Sequence, residues 1–437
     1  MKDKKMLQKM TEYVLQSALK KGASHVRVTA VRDVSNELTV LNHSLEKIQS
    51  AVESVLHIHL FVDGRYGTCS TNTMQTGHLD NLLNQSIASI KLLAPDPFRT
   101  LLPKELQYKG VPLRDVFSGD VETEEKKDLL FSSTASIQNK NPALINATAH
   151  YTDSIRWVHI ADSNGLHCTS EKSWFGLLTE CSVLGENNTR PSDWNFIGGT
   201  NPIHISAAHE SMRQTLDRAL NKRNPKKARS GIYNVVVENR VASTLLAPVI
   251  DAISGAQLQQ KNSFLLNSLG QRIGSSVLTL IDDPHKTGVP AYSFFDYEGN
   301  ATKKRTVIEK GILNLFYLNT YHASKMQMPC TIATPSTLLL TGGKGDVLSL
   351  TKQMQHGIII TGFNGGNCNT ATGDFSYGIE GFLVENGQIT TPINEMVMTG
   401  NMINLWNQLH IAGDDAQPIS SRLLPSLLFE SIELAGL

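Results

Sequence analysis

The sequence is poor in cysteine, has no excess of either charge and contains no long apolar run. Each shortage excludes a class of protein. Five cysteines (Cys69, Cys168, Cys181, Cys330 and Cys368) are spread over 437 residues without a C-x-x-C pair. So sparse and odd a set fits reduced thiols better than a disulfide framework. Lys and Arg total 40, Asp and Glu total 40, and the formal net charge is 0. A protein whose main work is coating nucleic acid carries a basic excess, so that class is disfavoured. No stretch approaches the roughly 18 uninterrupted apolar residues of a membrane span. The longest runs, such as Leu338-Leu339-Leu340 between Thr337 and Thr341, are strand-sized. The opening Met1-Lys2-Asp3-Lys4-Lys5-Met6 is charged where a secretory signal would be apolar. We therefore expect a cytoplasmic protein without membrane or nucleic-acid partners. The N-x-T triplets at Asn146, Asn187 and Asn300 are then chance matches.

What is present describes a globular chain. Hydrophobic residues make up 40% and charged residues 18%, which suits a packed core under a polar surface. At about 150 residues per domain the length suggests two or three domains. Leu7, Met10, Val14, Leu15 and Ala18 recur at helical spacing, with Gly22 as the stop. A strand over His25 to Val31, with a slip before Val31, and another over Val55 to Val62 follow. Asp63-Gly64 then turns the chain into Arg65, because both residue types tolerate positive φ. Helices are expected over residues 80–93, 121–139 and 204–220, and an antiparallel meander over 143–186. Asn221 to Gly231 holds Lys222, Arg223, Lys226, Lys227 and Arg229 with one proline and no large apolar group. It reads as a solvated linker. This gives an N-terminal α+β domain (1–220), a basic linker (221–231) and a C-terminal α+β domain (232–437). Strands and helices do not alternate in a βαβ rhythm, so mostly antiparallel sheets with packed helices are expected.

Several stretches imitate catalytic motifs and fail on spacing. His209-Glu210 lacks the second histidine one turn later that a zinc site needs: Arg213 and Gln214 stand there. Gly373-Asp374-Phe375-Ser376-Tyr377-Gly378 has G-x-x-S-x-G where a nucleophile elbow has G-x-S-x-G. Thr341 to Asp346 lacks the ordered glycines, lysine and hydroxyl of a phosphate loop. The pair His57 and His59 shares one side of a strand but is a weak ligand set. The carboxylates of Asp282-Asp283-Pro284-His285 and Asp296-Tyr297-Glu298-Gly299 suit turns, which favour Asp for backbone hydrogen bonding.

The second half contains an ordered set of phrases. They are Ile281-Asp282-Asp283-Pro284; Phe295-Asp296-Tyr297-Glu298-Gly299 followed by Arg305 to Gly311; Thr372-Gly373-Asp374-Phe375-Ser376; and Gly381 to Ile389. In this order they resemble the TldD/TldE (PmbA) family, once described as modulators of DNA gyrase. Gly64 to Thr68 and Asp162 to Leu166 agree more loosely. The resemblance implies a two-part zinc peptidase. TldD-type members carry His-Glu-x-x-x-His on the helix after the first C-terminal strand, plus a late cysteine ligand. TldE-type members pair with them and lack the metal site. In this sequence Leu246 and Ala247 fall where the first His and the Glu would be, Asp251 falls on the second His, and no cysteine follows Cys368. Leucine cannot coordinate zinc and alanine cannot act as a base. Val241, Leu245, Leu246, Val249, Ile250 and Ile253 form an apolar helical stripe, interrupted by Pro248, which removes one internal hydrogen bond.

The resemblance thus implies a TldE-like subunit without cofactor, catalytic residues or metal of its own. Zinc is expected in a TldD-type partner, flexible peptides are the expected substrates, and a homodimer is possible when the partner is absent. Peptide contact is placed at Gly362, Asn364, Gly365 and Gly366 by strand addition, with Asp374 and Ser376 nearby. Two alternatives stand beside it. One is a self-contained hydrolase using Ser376 or Cys368, and the other a binding protein for gyrase or DNA.

Overall fold

The computed structural model describes residues 2–418 and 420–436. The first half runs α1 (Lys2–Lys20), β1 (His25–Leu41), β2 (Ser44–Val62), β3 (Arg65–Thr71), α2 (Thr76–Ile90), β4 (Leu113–Asp115), α3 (Thr123–Ala135), β5 (Leu144–Asp162), β6 (His167–Val183), β7 (Ser192–Gly199) and α4 (Ile205–Asn221). Its strands form one sheet in the order β3-β2-β1-β5-β6-β4, with β7 also paired to β6. All pairs are antiparallel except the short β4–β6 contact. At about 3.4 Å per residue, the four central strands extend nearly 60 Å.

All four helices cover the same face of this sheet. Val26, Val28 and Ala30 of β1, with their cross-strand partners Leu60, Ile58 and Leu56, pack under α1 and α2. Leu38 and Val40, an even number of residues further along β1, pack under α3 and α4 with Tyr151, Leu177 and Met212. β1 is continuous from His25 to Leu41, so the slip expected near Val31 does not occur. The alternation fades there because residues 31–37 are only partly covered.

The second half runs β8 (Gly231–Val237), α5 (Asn239–Ala252), α6 (Gly255–Gln259), β9 (Leu280–Asp282), β10 (Arg305–Glu309), β11 (Ile312–Leu313), α7 (Thr320–Met326), β12 (Leu338–Leu340), α8 (Val347–Met354), β13 (Gly357–Cys368), β14 (Asp374–Glu385), β15 (Gln388–Asn401), α9 (Met402–Asn407), β16 (Leu409–Ala412), β17 (Arg422–Leu423) and β18 (Leu427–Ala435). One sheet has the order β15-β14-β13-β8-β18-β16, with a further β15–β18 pairing that curls it towards closure; the other is β11-β10-β9-β12-β17. The fold is α+β with antiparallel and mixed sheets. α5 lies in the core between them, against Val235, Ile358, Tyr317 and Trp406. α8 covers the opposite face through Leu350 and Met354 on Val236 and Ile359.

The segment expected to be a solvated linker is partly built into the molecule. Lys222 is buried between the Asp193 and Glu380 carboxylates, and Ala228 belongs to the C-terminal core. Here composition misled: a lysine among polar neighbours is neutralised by carboxylates distant in sequence. The apolar stripe of Val241 to Ile253 ends with α5, and a second helix, α6, begins just beyond it. Ser254 leaves the helical conformation and caps α6 through its hydroxyl.

Candidate functional site

α5 is the helix on which the resemblance drawn from the sequence would place a metal site. It follows β8 directly, and Glu238 starts it with its carbonyl accepting from Val241 and Ala242. Its apolar stripe turns inward, so Leu245 and Leu246 are fully buried. Ala247 is half-buried and Asp251 is exposed at the last turn. Asp251 already has partners: Thr370 donates its hydroxyl to Oδ2 at 3.2 Å, and Gln257 donates Nε2 to the same oxygen at 3.3 Å. Pro248 sits inside the helix without ending it. Among the described residues, no group of three or more His, Cys, Asp or Glu side chains is placed to hold a metal ion. Zinc needs about three such donors and an open position. Leu246, Ala247 and Asp251 do not fit it.

Thr370 connects α5 to the hairpin of β13 and β14, and this hairpin holds all six residues expected to meet peptide. Three residues of β13, Ile358–Ile360, pair with β8, and Glu238 N then donates to Ile360 O as the chain leaves for α5. From Gly362 to Cys368, β13 is therefore paired only to β14, and among the described residues no strand lies on its other edge. Asn364–Asn367 are exposed. The register shifts between Phe363 and Gly366, a bulge made possible by Gly365 and Gly366 at φ 87° and 98°. Asn364 Nδ2 donates to Asn394 at 3.2 Å and to Glu380 at 3.4 Å. Ser376 lies opposite Asn367 and Thr399. Asp374 accepts from Asn401 Nδ2 at 3.0 Å, and this bond with that from Thr372 holds its carboxyl below the ordinary range.

No nucleophile is activated here. Burial, with the Asp374 charge, pushes the Cys368 thiol up to about 11, away from the thiolate that attacks. No described base bonds Ser376. The hydrophobic support is Phe375 stacked on Tyr377 at 5.5 Å, with Phe363 edge-on to Tyr377 at the same distance. These rings were not singled out from the sequence. Their signal is the alternation Phe375, Tyr377, Ile379 on the buried face of β14.

A buried ionic cluster beside the hairpin likewise left no mark in the sequence. Asp193 on β7 meets Arg240 at 2.8 Å, Lys222 at 3.0 Å and Arg218 at 3.3 Å. Arg218 forks onto both oxygens of Glu238 at 2.8 and 2.7 Å, and Lys222 reaches Glu380 at 2.5 Å. Three cations thus balance three carboxylates, and Glu380 passes the restraint on to Asn364. Burial pushes the Asp193 carboxyl up, but attraction to Arg218, Arg240 and Lys222 outweighs it and the net shift is down.

The halves meet at a second place. Arg27 of β1 pairs with the buried Glu298 at 3.4 Å, and Glu298 accepts from Thr320 N at 2.9 Å. Asp296 accepts backbone N–H groups from Glu298, Asn300 and Ala333. Burial pushes its carboxyl up to about 6, as it does that of Asp282, which accepts from Ser336 N and Tyr317. Both aspartates thus organise turns. Of the two strand histidines, His57 is exposed, whereas His59 donates or accepts at the Tyr66 hydroxyl and is pushed down to about 3 by burial and Arg27.

Fold and site together define an α+β protein in which, among the described residues, no set of side chains is placed to hold a metal ion. Comparison with known proteins gives the family. Residues 230–436 match the model of the PmbA/TldA metallopeptidase C-terminal domain. The metalloprotease PmbA homolog of Haemophilus influenzae is 25% identical over 98% of this chain and 96% of its own. A crystal structure from Bacteroides thetaiotaomicron, of a protein described as a candidate modulator of DNA gyrase, superposes with a TM-score of 0.94. It is 35% identical and covers 98% of this chain and 99% of its own. TldE of Thermococcus kodakarensis shares the fold, with a TM-score of 0.86 at 18% identity over 98% of this chain and 100% of that one. The chain belongs to the PmbA/TldD-like metallopeptidase family, and it lacks that family's HExxxH zinc site.

Proposed function

We propose that this chain is a non-catalytic, TldE/PmbA-like subunit of a cytoplasmic zinc metallopeptidase heterodimer that processes flexible peptides. One observation carries the reading: the helix that would bear the metal presents Leu246, Ala247 and Asp251, the first buried in the core and the last engaged by Thr370 and Gln257. The zinc, and the general base that activates its water, then belong to a TldD-type partner. Likeness to a Buchnera TldD homolog, 24% identical over 72% of this chain, supports a shared scaffold. The contribution of this chain is to hold extended peptide along the open edge of Gly362 to Gly366, where backbone groups bind any sequence. Asp374 and Ser376 lie on β14, across β13 from that edge, so peptide contact there falls to Gly362, Asn364, Gly365 and Gly366.

The test is to purify the chain alone and co-expressed with a TldD-type protein, then measure mass, zinc content and cleavage of unfolded peptides. A one-to-one complex with zinc and activity, neither of which the chain has alone, is the expected result. Stoichiometric zinc or peptidase activity in the isolated chain would overturn the reading. A hydrolase using Cys368 is disfavoured by the raised thiol, and a DNA-binding role by the zero net charge, because duplex binding depends on basic groups that release counterions.

A further inference from the structure

A cavity of about 380 Å³ lies at the fork where the chain of β8 leaves β13. Glu238, whose N–H makes the last bond to β13 at Ile360, lines it from one prong, and Thr361 lines it from the other. Leu348 of α8, Phe382 of β14 and Ile389 beside it on β15 form apolar walls, so the cavity is on the sheet face that α8 covers. Leu348 and Ile389 are large apolar side chains left 53% and 45% exposed at its rim. The charged part of the lining, Asp193, Arg218 and Glu238, belongs to the ionic cluster, in which three cations balance three carboxylates. The cavity therefore carries no net charge and calls for no counterion.

One polar group in the lining is unpaired. Thr361 is only 6% exposed, and its buried hydroxyl bonds to no described residue. A buried hydroxyl left without a partner is unfavourable, and native structures hold few such groups. Thr361 is also the residue just before Gly362, where the outer edge of β13 becomes free, and the register against β14 shifts there, between Ile360 and Gly362. Gly362 brings no side chain. A Cβ on it would run into the Glu380 side chain, and Glu380 shares a face of β14 with Phe382, two residues on. Gly362 thus faces the cavity side of the sheet and leaves that side clear.

Directly opposite residues of paired strands put their side chains on the same face. A peptide strand added along Gly362 to Gly366 therefore sends the side chain opposite Gly362 to the α8 face, beside the cavity. The lining defines what fits. The side chain is uncharged, because the cluster is already balanced. It is large and apolar in its body, to cover Leu348 and Ile389, and it ends in a hydroxyl, to pair with Thr361. Tyrosine has this form, an apolar ring with a polar tip. We propose that the cavity is a tyrosine subsite of the peptide edge, with the ring against Leu348, Phe382 and Ile389 and the phenol hydrogen-bonded to Thr361 Oγ1. Backbone pairing supplies affinity in such an arrangement, and the side-chain pocket supplies choice. The proposal rests on the reading of β13 as a peptide-holding edge and adds a preference to it.

The experiment is fluorescence anisotropy on the full chain, with flexible labelled peptides identical except for one central Tyr, Phe or Ala. The Tyr peptide should bind roughly fivefold more tightly than the Phe peptide, the worth of one hydrogen bond. It should bind on the order of tenfold or more above the Ala peptide, through the buried ring. Thr361→Val keeps the side chain's shape and removes the hydroxyl. It should bring the Tyr peptide down to the affinity of the Phe peptide and leave the Phe peptide unchanged. Its thermal melt should be no lower than that of the wild type, because an unpaired buried hydroxyl has gone. Leu348→Ser, at the exposed rim, should weaken the Tyr and Phe peptides alike by roughly threefold and leave the Ala peptide unchanged. Equal binding of the Tyr and Ala peptides would overturn the subsite and leave the peptide edge standing. So would a T361V chain that keeps the full preference for Tyr over Phe. If none of the three peptides binds, the reading of the edge falls and the subsite falls with it.

Discussion

Replacing Asp193 with Asn should unfasten the two halves of the molecule. The substitution keeps the side chain's shape and removes one charge where three cations meet three carboxylates. Asp193 is 1% exposed at its side chain and touches all three cations. After substitution Arg218, Lys222 and Arg240 share two carboxylates, and Arg240, 5% exposed, keeps Glu238 at 3.5 Å as its one carboxylate, beside the Trp194 carbonyl and ring. Removing one partner from a buried ionic cluster costs about 3–5 kcal/mol, because a desolvated charge is left behind. Arg218 retains 28% exposure and water can reach it, so we take the lower end, about 3 kcal/mol. Urea unfolding followed by circular dichroism and by tryptophan fluorescence measures it, as the midpoint change multiplied by the slope. Glu37→Gln, which breaks the exposed pair with Lys47, is the control and should cost no more than about 1 kcal/mol. The pH dependence has a definite sign. A carboxyl held below its unfolded value stabilises above that value, and the benefit is lost as pH falls through the native one. The difference between wild type and D193N should therefore shrink below about pH 4. A loss at neutral pH no larger than the control's would refute the cluster's energetic role.

Other expectations follow from single observations. Asp282, pushed up to about 6 by burial, holds its proton more tightly folded than unfolded. Its contribution is thus greatest below the unfolded value near 4 and is lost as pH rises to about 6. Asp282→Asn should flatten the stability profile across that window, and an unchanged slope would count against the assignment. Cys368, raised to about 11, should react slowly with iodoacetamide at neutral pH and speed up only in strong alkali; rapid neutral labelling would revive it as a nucleophile. Gly366→Ala should destabilise by roughly 2 kcal/mol, because φ is 98° and the added methyl meets the Ser376 carbonyl. A neutral result in thermal melts would mean that the hairpin relaxes freely.

Local chemistry was legible wherever one residue type has one job. Gly22 ends α1 at φ 101°, and Asp63 and Gly64 turn the hairpin at 49° and 71°. The apolar stripe of α5 was legible too, since it faces a single core. Strand length was not. β1 runs through Asp33, Ser35, Asn36 and Glu37, where both sheet faces are partly wet and no period survives. The Asp193 cluster was illegible for another reason. Its members Lys222 and Glu380 lie far apart in sequence, and composition near residue 222 shows the cations without the carboxylates that bury them.

The absence of a zinc site and the presence of a core are one fact seen from two directions. A metal at α5 would need imidazoles where Leu246 and Asp251 stand, each fixed by a further hydrogen bond. Leu246 is closed in by aliphatic neighbours, so a histidine there would be desolvated without a partner, a cost of several kcal/mol unless metal binding offsets it. The offset needs all ligands at once, including a late cysteine that the sequence lacks. A histidine at 246 alone loses packing, and one at the exposed position 251 loses the bonds from Thr370 and Gln257. The proposed peptide contact at Gly362 to Gly366 asks nothing of such a site, because among the described residues that stretch of β13 has a free backbone edge and only Phe363 and Asn364 carry side chains.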